Sequence, residues 1–236
     1  MSLELRRGEH GVMRVGHRGA AALAAENSLA AIEAAAEAGV DAVELDVLRR
    51  GDGALVLAHP PDVRDDAPLL DDALALVGRL GLAVQIDVKV DGNEAAIVDA
   101  LRRRDLLGRA FVSSFSPAIL HTFAAAAPAL PRSFTYPEDR LRASERRPLR
   151  WAVPPALVVL RALAPRRLPR WLRAAGAQAA TLNWAVASPA AVAACHASGA
   201  AVYVWTVNDP ALATTLVESG IDGIITDDPR ILAPRP

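Results

Sequence analysis

The chain has a single cysteine, few aromatic residues and no long uninterrupted apolar segment. With Cys195 alone, neither a disulfide within the chain nor a cysteine-based metal site can form, which fits a reducing cytoplasm. No uncharged apolar stretch approaches the roughly 18 residues of a transmembrane helix, and the first residues contain no apolar signal segment. We therefore expect a cytoplasmic protein.

Aromatic residues make up only 4% of the chain, although 52% of its residues are apolar. Alanine supplies much of that apolar share, so we expect a core that packs small side chains closely. A chain of 236 residues with this composition can form one α/β barrel or one large doubly wound domain.

The chain also lacks an excess of charge of one sign, since it has 26 basic and 27 acidic residues and a formal net charge of −1. A nucleic-acid partner normally requires a basic stripe, so we expect none. Many arginines lie in one segment, 140–173, together with Trp151 and Trp171. This segment is either a solvated helical cover, the interpretation we favour, or a surface for peripheral contact with phospholipid headgroups.

Short β-branched runs alternate with alanine-rich segments along the chain. Eight strands alternating with helices predict a parallel (β/α)8 barrel, the TIM barrel, as a single domain over residues 1–236 with its core at about 12–232. A doubly wound open sheet is the main alternative, but the strand count favours the barrel. The predicted strands are 12–16, 41–47, 82–89, 109–114, 131–135, 178–183, 200–206 and 221–226, and the predicted helices are 27–38, 69–80, 93–104, 116–126, 151–175, 188–198 and 209–219.

Several local signals refine this pattern. Asn27 precedes the first predicted helix as a candidate cap, as Ser188 and Asp209 precede two later helices. Segment 53–58 predicts an extra strand after the second barrel strand, which would deliver His59 to the barrel mouth. Four prolines, Pro154, Pro155, Pro165 and Pro169, are expected to break any single helix over the long connection before the seventh strand.

Reactive side chains follow the ends of the first predicted strands. His17 and Arg18 lie between two glycines directly after the first strand, a pattern typical of a tight turn. Glu44 and Asp46 are spaced i, i+2 on the second strand and therefore point to the same face. Since the carboxyl ends of barrel strands hold the active site, packing alone does not explain this pattern.

Two like charges close together require a cation or a proton between them. Glu44, Asp46 and Asp87, the last from the end of the third strand, offer hard oxygen ligands that suit Mg²⁺ or Ca²⁺. Lys89 lies on the same face as Asp87 and adds a positive charge for an anionic oxygen. For each acid taken alone, a salt bridge to an arginine is the alternative interpretation.

Two histidines are candidates for proton transfer. An imidazole titrates near pH 6.5, so His17 and His59 can give and take protons at neutral pH. Trp205, at the end of the seventh strand, either walls a substrate pocket or fills the barrel. A serine nucleophile is not expected, because the chain has no Gly-x-Ser-x-Gly elbow.

These residues belong to a series of motifs distributed along almost the whole chain. The motifs are His17-Arg18-Gly19, Glu26-Asn27-Ser28, Gly39-Val40-Asp41-Ala42-Val43-Glu44-Leu45-Asp46-Val47, Asp52-Gly53, His59, Asp87-Val88-Lys89, Ser113-Ser114-Phe115, Trp205-Thr206-Val207-Asn208 and Gly220-Ile221-Asp222-Gly223-Ile224-Ile225-Thr226-Asp227-Asp228-Pro229. Together they resemble the glycerophosphodiester phosphodiesterase family. That family is a (β/α)8 barrel that cleaves glycerophosphodiesters to an alcohol and glycerol 3-phosphate.

The resemblance implies a role for each candidate residue. Glu44, Asp46 and Asp87 would hold one divalent cation, Mg²⁺ or Ca²⁺, Arg18 and Lys89 would bind the phosphate, and His17 and His59 would be general acid and base. In the family mechanism, the glycerol 2-hydroxyl attacks internally and gives a cyclic phosphate that water then opens. This implied mechanism fits a chain that offers two imidazoles but no protein nucleophile.

Three features depart from the family pattern. Pro60 stands where the family usually has an aspartate after the second histidine, so His59 lacks that orienting carboxylate unless Asp62 substitutes for it. The third metal acid is usually a glutamate, and Asp87 is one methylene shorter. The family's small insertion is reduced to 60–68 or absent, which predicts a more open pocket.

Three functions are compatible with these observations. The leading hypothesis is metal-dependent hydrolysis of a small-molecule glycerophosphodiester such as glycerophosphocholine or glycerophosphoethanolamine. A second is a lysophospholipase D that acts on lysolipids at membranes through the open pocket and segment 140–173. A third is a non-catalytic barrel that binds phosphate and metal without turnover.

Overall fold

The computed structural model describes residues 3–8, 11–61, 63–138 and 153–232. Within these residues the strands are β1 (Met13–Gly16), β2 (Ala42–Arg49), β3 (Leu55–Leu57), β4 (Ala83–Asp87), β5 (Ala110–Ser114), β6 (Arg132–Tyr136), β7 (Ala179–Asn183), β8 (Ala201–Trp205) and β9 (Gly223–Thr226). The helices are α1 (Leu29–Glu37), α2 (Leu70–Arg79), α3 (Glu94–Arg103), α4 (Pro117–Ala126), α5 (Val153–Ala175), α6 (Pro189–Ala197) and α7 (Pro210–Glu218). Short 3₁₀ turns lie at Leu107–Arg109 and Pro229–Ile231.

All strands except β3 form one closed parallel barrel in the order β1-β2-β4-β5-β6-β7-β8-β9, and β9 pairs with β1 to close it. Strand β3 pairs antiparallel with the end of β2, where Val47 faces Leu57. The predicted (β/α)8 barrel is therefore confirmed, and the extra strand lies within the predicted segment 53–58. The chain leaves β3 directly before His59.

The barrel interior is filled by small side chains around two aromatic rings. Phe111 and Tyr203 lie inside with their ring centroids 5.2 Å apart, among alanines at the starts of the strands. Leu5 packs against this cluster, and the Tyr203 hydroxyl donates a hydrogen bond of 3.0 Å to its carbonyl. The amino-terminal end of the barrel is thereby filled, which leaves the opposite end for a site.

The helix caps agree only partly with the sequence. Ser188 and Asp209 cap α6 and α7 as predicted, since each side chain accepts a hydrogen bond from the backbone of the first turn. The prediction that Asn27 caps α1 is wrong, because Ser28 is the cap and accepts a 3.1 Å bond from the Ala31 amide. Asn27 has a φ of 53° and a buried side chain. Because this side chain does not cap the helix, it can form hydrogen bonds at the barrel mouth.

Helix α5 is continuous, so the expectation that prolines break it is wrong. Pro154 and Pro155 lie in its first turn, where backbone amides have no partner inside a helix. Pro165 and Pro169 each remove one internal bond, but the helix is held against the barrel by one buried face made of Ala164, Leu168, Leu172 and Ala175. The rest of the arginine-rich segment, 140–152, lies outside the described residues. No helix in the described part of the chain is both long and apolar enough to cross a bilayer.

Candidate active site

The predicted site residues converge at the carboxyl-terminal end of the barrel. A cavity of about 590 Å³ is lined by seven of the eight, His17, Arg18, Glu44, His59, Asp87, Lys89 and Trp205. The eighth, Asp46, is only 1% exposed and lies beneath the cavity, where both Arg18 and Lys89 pair with it. The predicted residues therefore lie together at one site.

Three carboxylates lie together at the base of the cavity, two of them lining it and Asp46 beneath it. Glu44, Asp46 and Asp87 are buried, and one oxygen from each lies within 4.8 Å of the others. Burial and the neighbouring Asp46 and Asp87 raise the pKa of Glu44 to about 7. Three buried acids at this distance repel one another, and this cost is the kind that a bound cation removes.

Neighbouring polar residues fix the orientation of these acids. The Asn27 amide donates to an Asp46 carboxylate oxygen, and its own oxygen accepts from the Asp46 backbone, both at 3.1 Å. Ser113 donates to Asp87 at 2.5 Å and itself accepts from Gln85 at 2.9 Å. The residue interpreted as a helix cap thus holds the central acid of the cluster.

Two positive side chains balance part of this charge. Arg18 pairs with Asp46 at 3.1 Å and with Glu26 at 2.8 Å, while its backbone amide donates to Glu44 at 2.9 Å. Lys89 pairs with Asp46 and, at 2.6 Å, with Asp87. Burial raises the pKa of Asp46, but the positive charges of Lys89 and Arg18 lower it by more. The pKa of Asp46 therefore lies below its ordinary value.

His17 is oriented by a carboxylate from the far end of the chain. Its Nδ1 lies 2.6 Å from Asp227, and Asn208 donates to the other Asp227 oxygen at 2.6 Å. Burial lowers the pKa of His17, but the hydrogen bond to Asp227 and the charge of Glu44 raise it above its ordinary value. Asp227 was missed as a functional residue from sequence, although it lies in the last quoted motif, directly after a strand.

His59 has a different environment. It lies after β3, next to Pro60, and Asp62, the predicted substitute for the family aspartate, lies outside the described residues. Burial lowers the pKa of His59, and the charges of Lys89 and Arg18 lower it as well. The charge of Asp46 raises it, but the pKa still lies below its ordinary value. The two imidazoles at the mouth are therefore shifted in opposite directions.

Trp205 lines the cavity and also packs, partly buried, against the side chains that fill the barrel. Its ring meets Phe115 edge-on, with centroids 6.2 Å apart and an interplanar angle of 77°. The indole N–H donates to the Thr181 carbonyl at 3.3 Å, which fixes the ring at the end of β8.

The turn that presents His17 depends on Gly16, and Gly16→Ala tests it. A Cβ at this position would lie 1.8 Å from the carbonyl oxygen of Gly19, a backbone atom. We expect the free energy of unfolding to fall by at least about 1–3 kcal/mol in a urea titration. Gly51→Ala is the control, because nothing lies within 4 Å of a Cβ there. A Gly16→Ala protein as stable as the parent would contradict the described turn.

Fold and site place the chain in the class of (β/α)8-barrel enzymes, whose active sites lie at the carboxyl ends of the strands. The comparison of sequences is more specific. The sequence model of the glycerophosphoryl diester phosphodiesterase family matches residues 17–73 and 80–231, and the chain belongs to this family. The predicted family and enzyme class are thereby confirmed.

Individual relatives agree with this assignment. A glycerophosphodiester phosphodiesterase from Caldanaerobacter subterraneus subsp. tengcongensis is 26% identical over 255 residues, which cover 92% of this chain and 95% of the relative. A structure of a glycerophosphodiester phosphodiesterase from Parabacteroides distasonis matches with a TM-score of 0.72 and 22% identity, covering 93% of this chain and 94% of that one. An Oleispira antarctica phosphodiesterase in complex with the product sn-glycerol-3-phosphate matches with a TM-score of 0.73 and 20% identity, covering 92% and 94%. At these identities the two structures establish the shared fold.

Proposed function

We propose that the chain hydrolyses glycerophosphodiesters to an alcohol and glycerol 3-phosphate at the barrel mouth. The observation that carries the proposal is one cavity of about 590 Å³ where a carboxylate cluster, two positive side chains and two imidazoles meet. The name of the Caldanaerobacter relative and the product held by the Oleispira structure support the same chemistry.

Glu44, Asp46 and Asp87 would hold one divalent cation, Mg²⁺ or Ca²⁺. Their fit rests on chemistry that this chain provides, since hard carboxylate oxygens from three buried acids lie within 4.8 Å of one another. Such a cation would supply positive charge for the phosphate oxygens as negative charge develops on them. Arg18 and Lys89 lie beside the same acids and would bind the remaining phosphate oxygens.

The opposite pKa shifts of the two imidazoles support separate roles. His59, whose pKa is lowered, would be neutral and would take the proton of the glycerol 2-hydroxyl as that oxygen attacks phosphorus. His17, whose pKa is raised, would be protonated and would give its proton to the alcohol oxygen as the P–O bond breaks. Water then opens the cyclic phosphate with the two roles exchanged, and both histidines return to their starting states.

Asp227→Asn tests whether Asp227 positions and charges His17. Loss of the carboxylate should lower the pKa of His17, so the basic limb of the kcat profile, where the general acid is lost as pH rises, should move to lower pH. We expect kcat near neutral pH to fall about 10–100-fold, because the wrong tautomer is also favoured.

Asp228→Asn is the matched control, because Asp228 pairs with Arg230 and belongs to the neighbouring 3₁₀ turn. It should leave the pH profile in place. A basic limb that does not move in Asp227→Asn would contradict the positioning role, even if kcat fell.

The reaction itself is tested by measuring glycerol 3-phosphate release from glycerophosphocholine and glycerophosphoethanolamine. Release should require a divalent cation, stop with EDTA, and return when Mg²⁺ or Ca²⁺ is added. The comparison of the two metals and the two alcohols identifies the preferred cation and headgroup. No release from folded protein with either metal would contradict the proposal.

One observation favours lysolipids as a second substrate class. The chain between β3 and α2 is short, and a further cavity of about 420 Å³ adjoins the main one through His59 and Pro60. We propose that this open side admits substrates larger than glycerophosphocholine. Choline release from lysophosphatidylcholine, compared with release from glycerophosphocholine, measures that preference.

A further inference from the structure

Helix α5 differs from the other described helices in length and charge. It has 23 residues, whereas the others have 9 or 10, and it carries five arginines but no acidic residue. The whole chain has a formal net charge of −1, so positive charge is concentrated on this helix. An attraction to anionic partners would therefore be local to α5.

Three of these arginines share the outer face of the helix. Arg166, Arg170 and Arg173 are spaced by four and three residues, which places them on one side, and all three are exposed. Within the described part of the chain, none of the three forms an ion pair. The other two are engaged, since Arg161 donates to backbone carbonyls including that of Ala185, and Arg167 lies over the Trp171 ring.

Large apolar side chains are exposed around the first half of the same helix. Val158, Val159 and Trp184 are 68%, 57% and 45% exposed, and Val159 lies seven residues before Arg166 on the outer face. Val158 and Trp184 also line a groove of about 840 Å³, together with residues such as Leu157 and Leu212. Apolar side chains on the same helix as arginines that form no ion pair among the described residues are the composition that binds lipid headgroups and the upper acyl region.

This apolar area lies at the same end of the barrel as the active site. Trp184 follows the carboxyl end of β7, and its backbone amide donates to the Trp205 carbonyl at 2.9 Å. Trp205 itself walls the active-site cavity. A binding partner that contacts Trp184 would therefore lie beside the mouth of the cavity.

We propose that the outer face of α5 docks the protein on anionic membranes. Arg166, Arg170 and Arg173 contact acidic headgroups, while Val158, Val159 and Trp184 enter the interfacial layer. Charge complementarity selects this occupant, because a neutral apolar partner would not engage three exposed arginines that form no ion pair with any described residue. The docking depends on this face alone and not on the reaction at the barrel mouth.

The experiment is cosedimentation of the full chain with vesicles of phosphatidylcholine mixed with phosphatidylglycerol, against pure phosphatidylcholine. We expect binding only to the mixed vesicles, decreasing as salt rises. Neutralising Arg166, Arg170 and Arg173 together to Gln should weaken binding on the order of 100-fold. The same change at the exposed Arg79, Arg102 and Arg103 removes equal charge elsewhere and should change binding little.

Tryptophan fluorescence tests the insertion. Binding should shift the emission to shorter wavelengths, and Trp184→Phe should remove that shift. Absence of binding to mixed vesicles at low salt, binding that the triple Gln variant retains, or a shift that survives Trp184→Phe would each overturn the proposal. A dimer in solution that the triple variant abolishes would also overturn it, because the face would then belong to a second copy.

Discussion

Replacing either His17 or His59 by alanine is expected to lower kcat by about 10²–10⁴-fold while the protein stays folded. Each imidazole lies at a loop after a strand, on the cavity and not in the core. In the proposed mechanism, removing one imidazole leaves either the attacking hydroxyl without a base or the departing alcohol without an acid. The expected loss is therefore in the chemical step, with a smaller effect on KM.

The two variants should differ when the leaving group changes. An ester of glycerol phosphate with p-nitrophenol needs little protonation, because its leaving group is a stable anion. If His17 is the general acid, this ester should restore most of the activity of His17→Ala but not of His59→Ala. The opposite pattern would exchange the two roles.

Stability and a third histidine provide the controls for this comparison. His121 lies on α4 and its Nε2 meets the Ala174 carbonyl at 2.5 Å, remote from the cavity, so His121→Ala should retain turnover. Thermal melts of all three variants should show folded protein. Near-normal turnover in both His17→Ala and His59→Ala would refute the acid/base assignment.

The barrel and the main site residues could be predicted because both depend on local patterns. Each barrel strand is a short, largely buried run, and a parallel barrel brings the carboxyl ends of all its strands to one mouth. Residues such as Glu44 and Asp87 could therefore be placed together from their positions at strand ends alone. Their distances and buried environment required the three-dimensional structure.

The partner of His17 could not be found in this way. Asp227 is 210 residues away in sequence, and the contact exists because β9 pairs with β1 to close the barrel. An aspartate after a strand is also typical of an ordinary loop, as Asp228 beside it shows by pairing with Arg230. Only the closure of the barrel distinguishes these two neighbours.

Two local predictions, the Asn27 cap and the break in α5, are wrong because tertiary contacts decide the structure at these positions. Asn27 and Ser28 are both good caps, and the choice of Ser28 follows from the left-handed backbone of Asn27, which directs its amide to Asp46. Pro165 and Pro169 oppose a helix, but the buried side of α5 packs along the barrel and outweighs the two lost backbone bonds. In both cases burial, which local sequence does not show, set the result.

Glu44→Gln should abolish cation dependence and lower kcat by about 10²–10⁴-fold, since several kcal/mol of charge stabilisation are lost with the cation. The substitution keeps the size of the side chain and an oxygen that can accept the 2.9 Å bond from the Arg18 amide. It removes one of three carboxylates that lie within 4.8 Å of one another. The remaining pair, Asp46 and Asp87, is already balanced by Lys89, so it should bind a divalent cation only weakly.

Thermal stability gives a readout of the same change that does not depend on turnover. Without cation, Glu44→Gln should be as stable as the parent or more so, because buried like charges are reduced. Cation at 100 times its Kd should stabilise the parent by about 2.7 kcal/mol and leave the variant nearly unchanged. Asp99→Asn, an exposed carboxylate paired with Arg102, should behave as the parent. We expect the cation at this cluster because no other three described acidic or metal-ligating side chains lie this close together. A Glu44→Gln protein whose melting temperature still rises with Mg²⁺ or Ca²⁺ as the parent's does would contradict that placement.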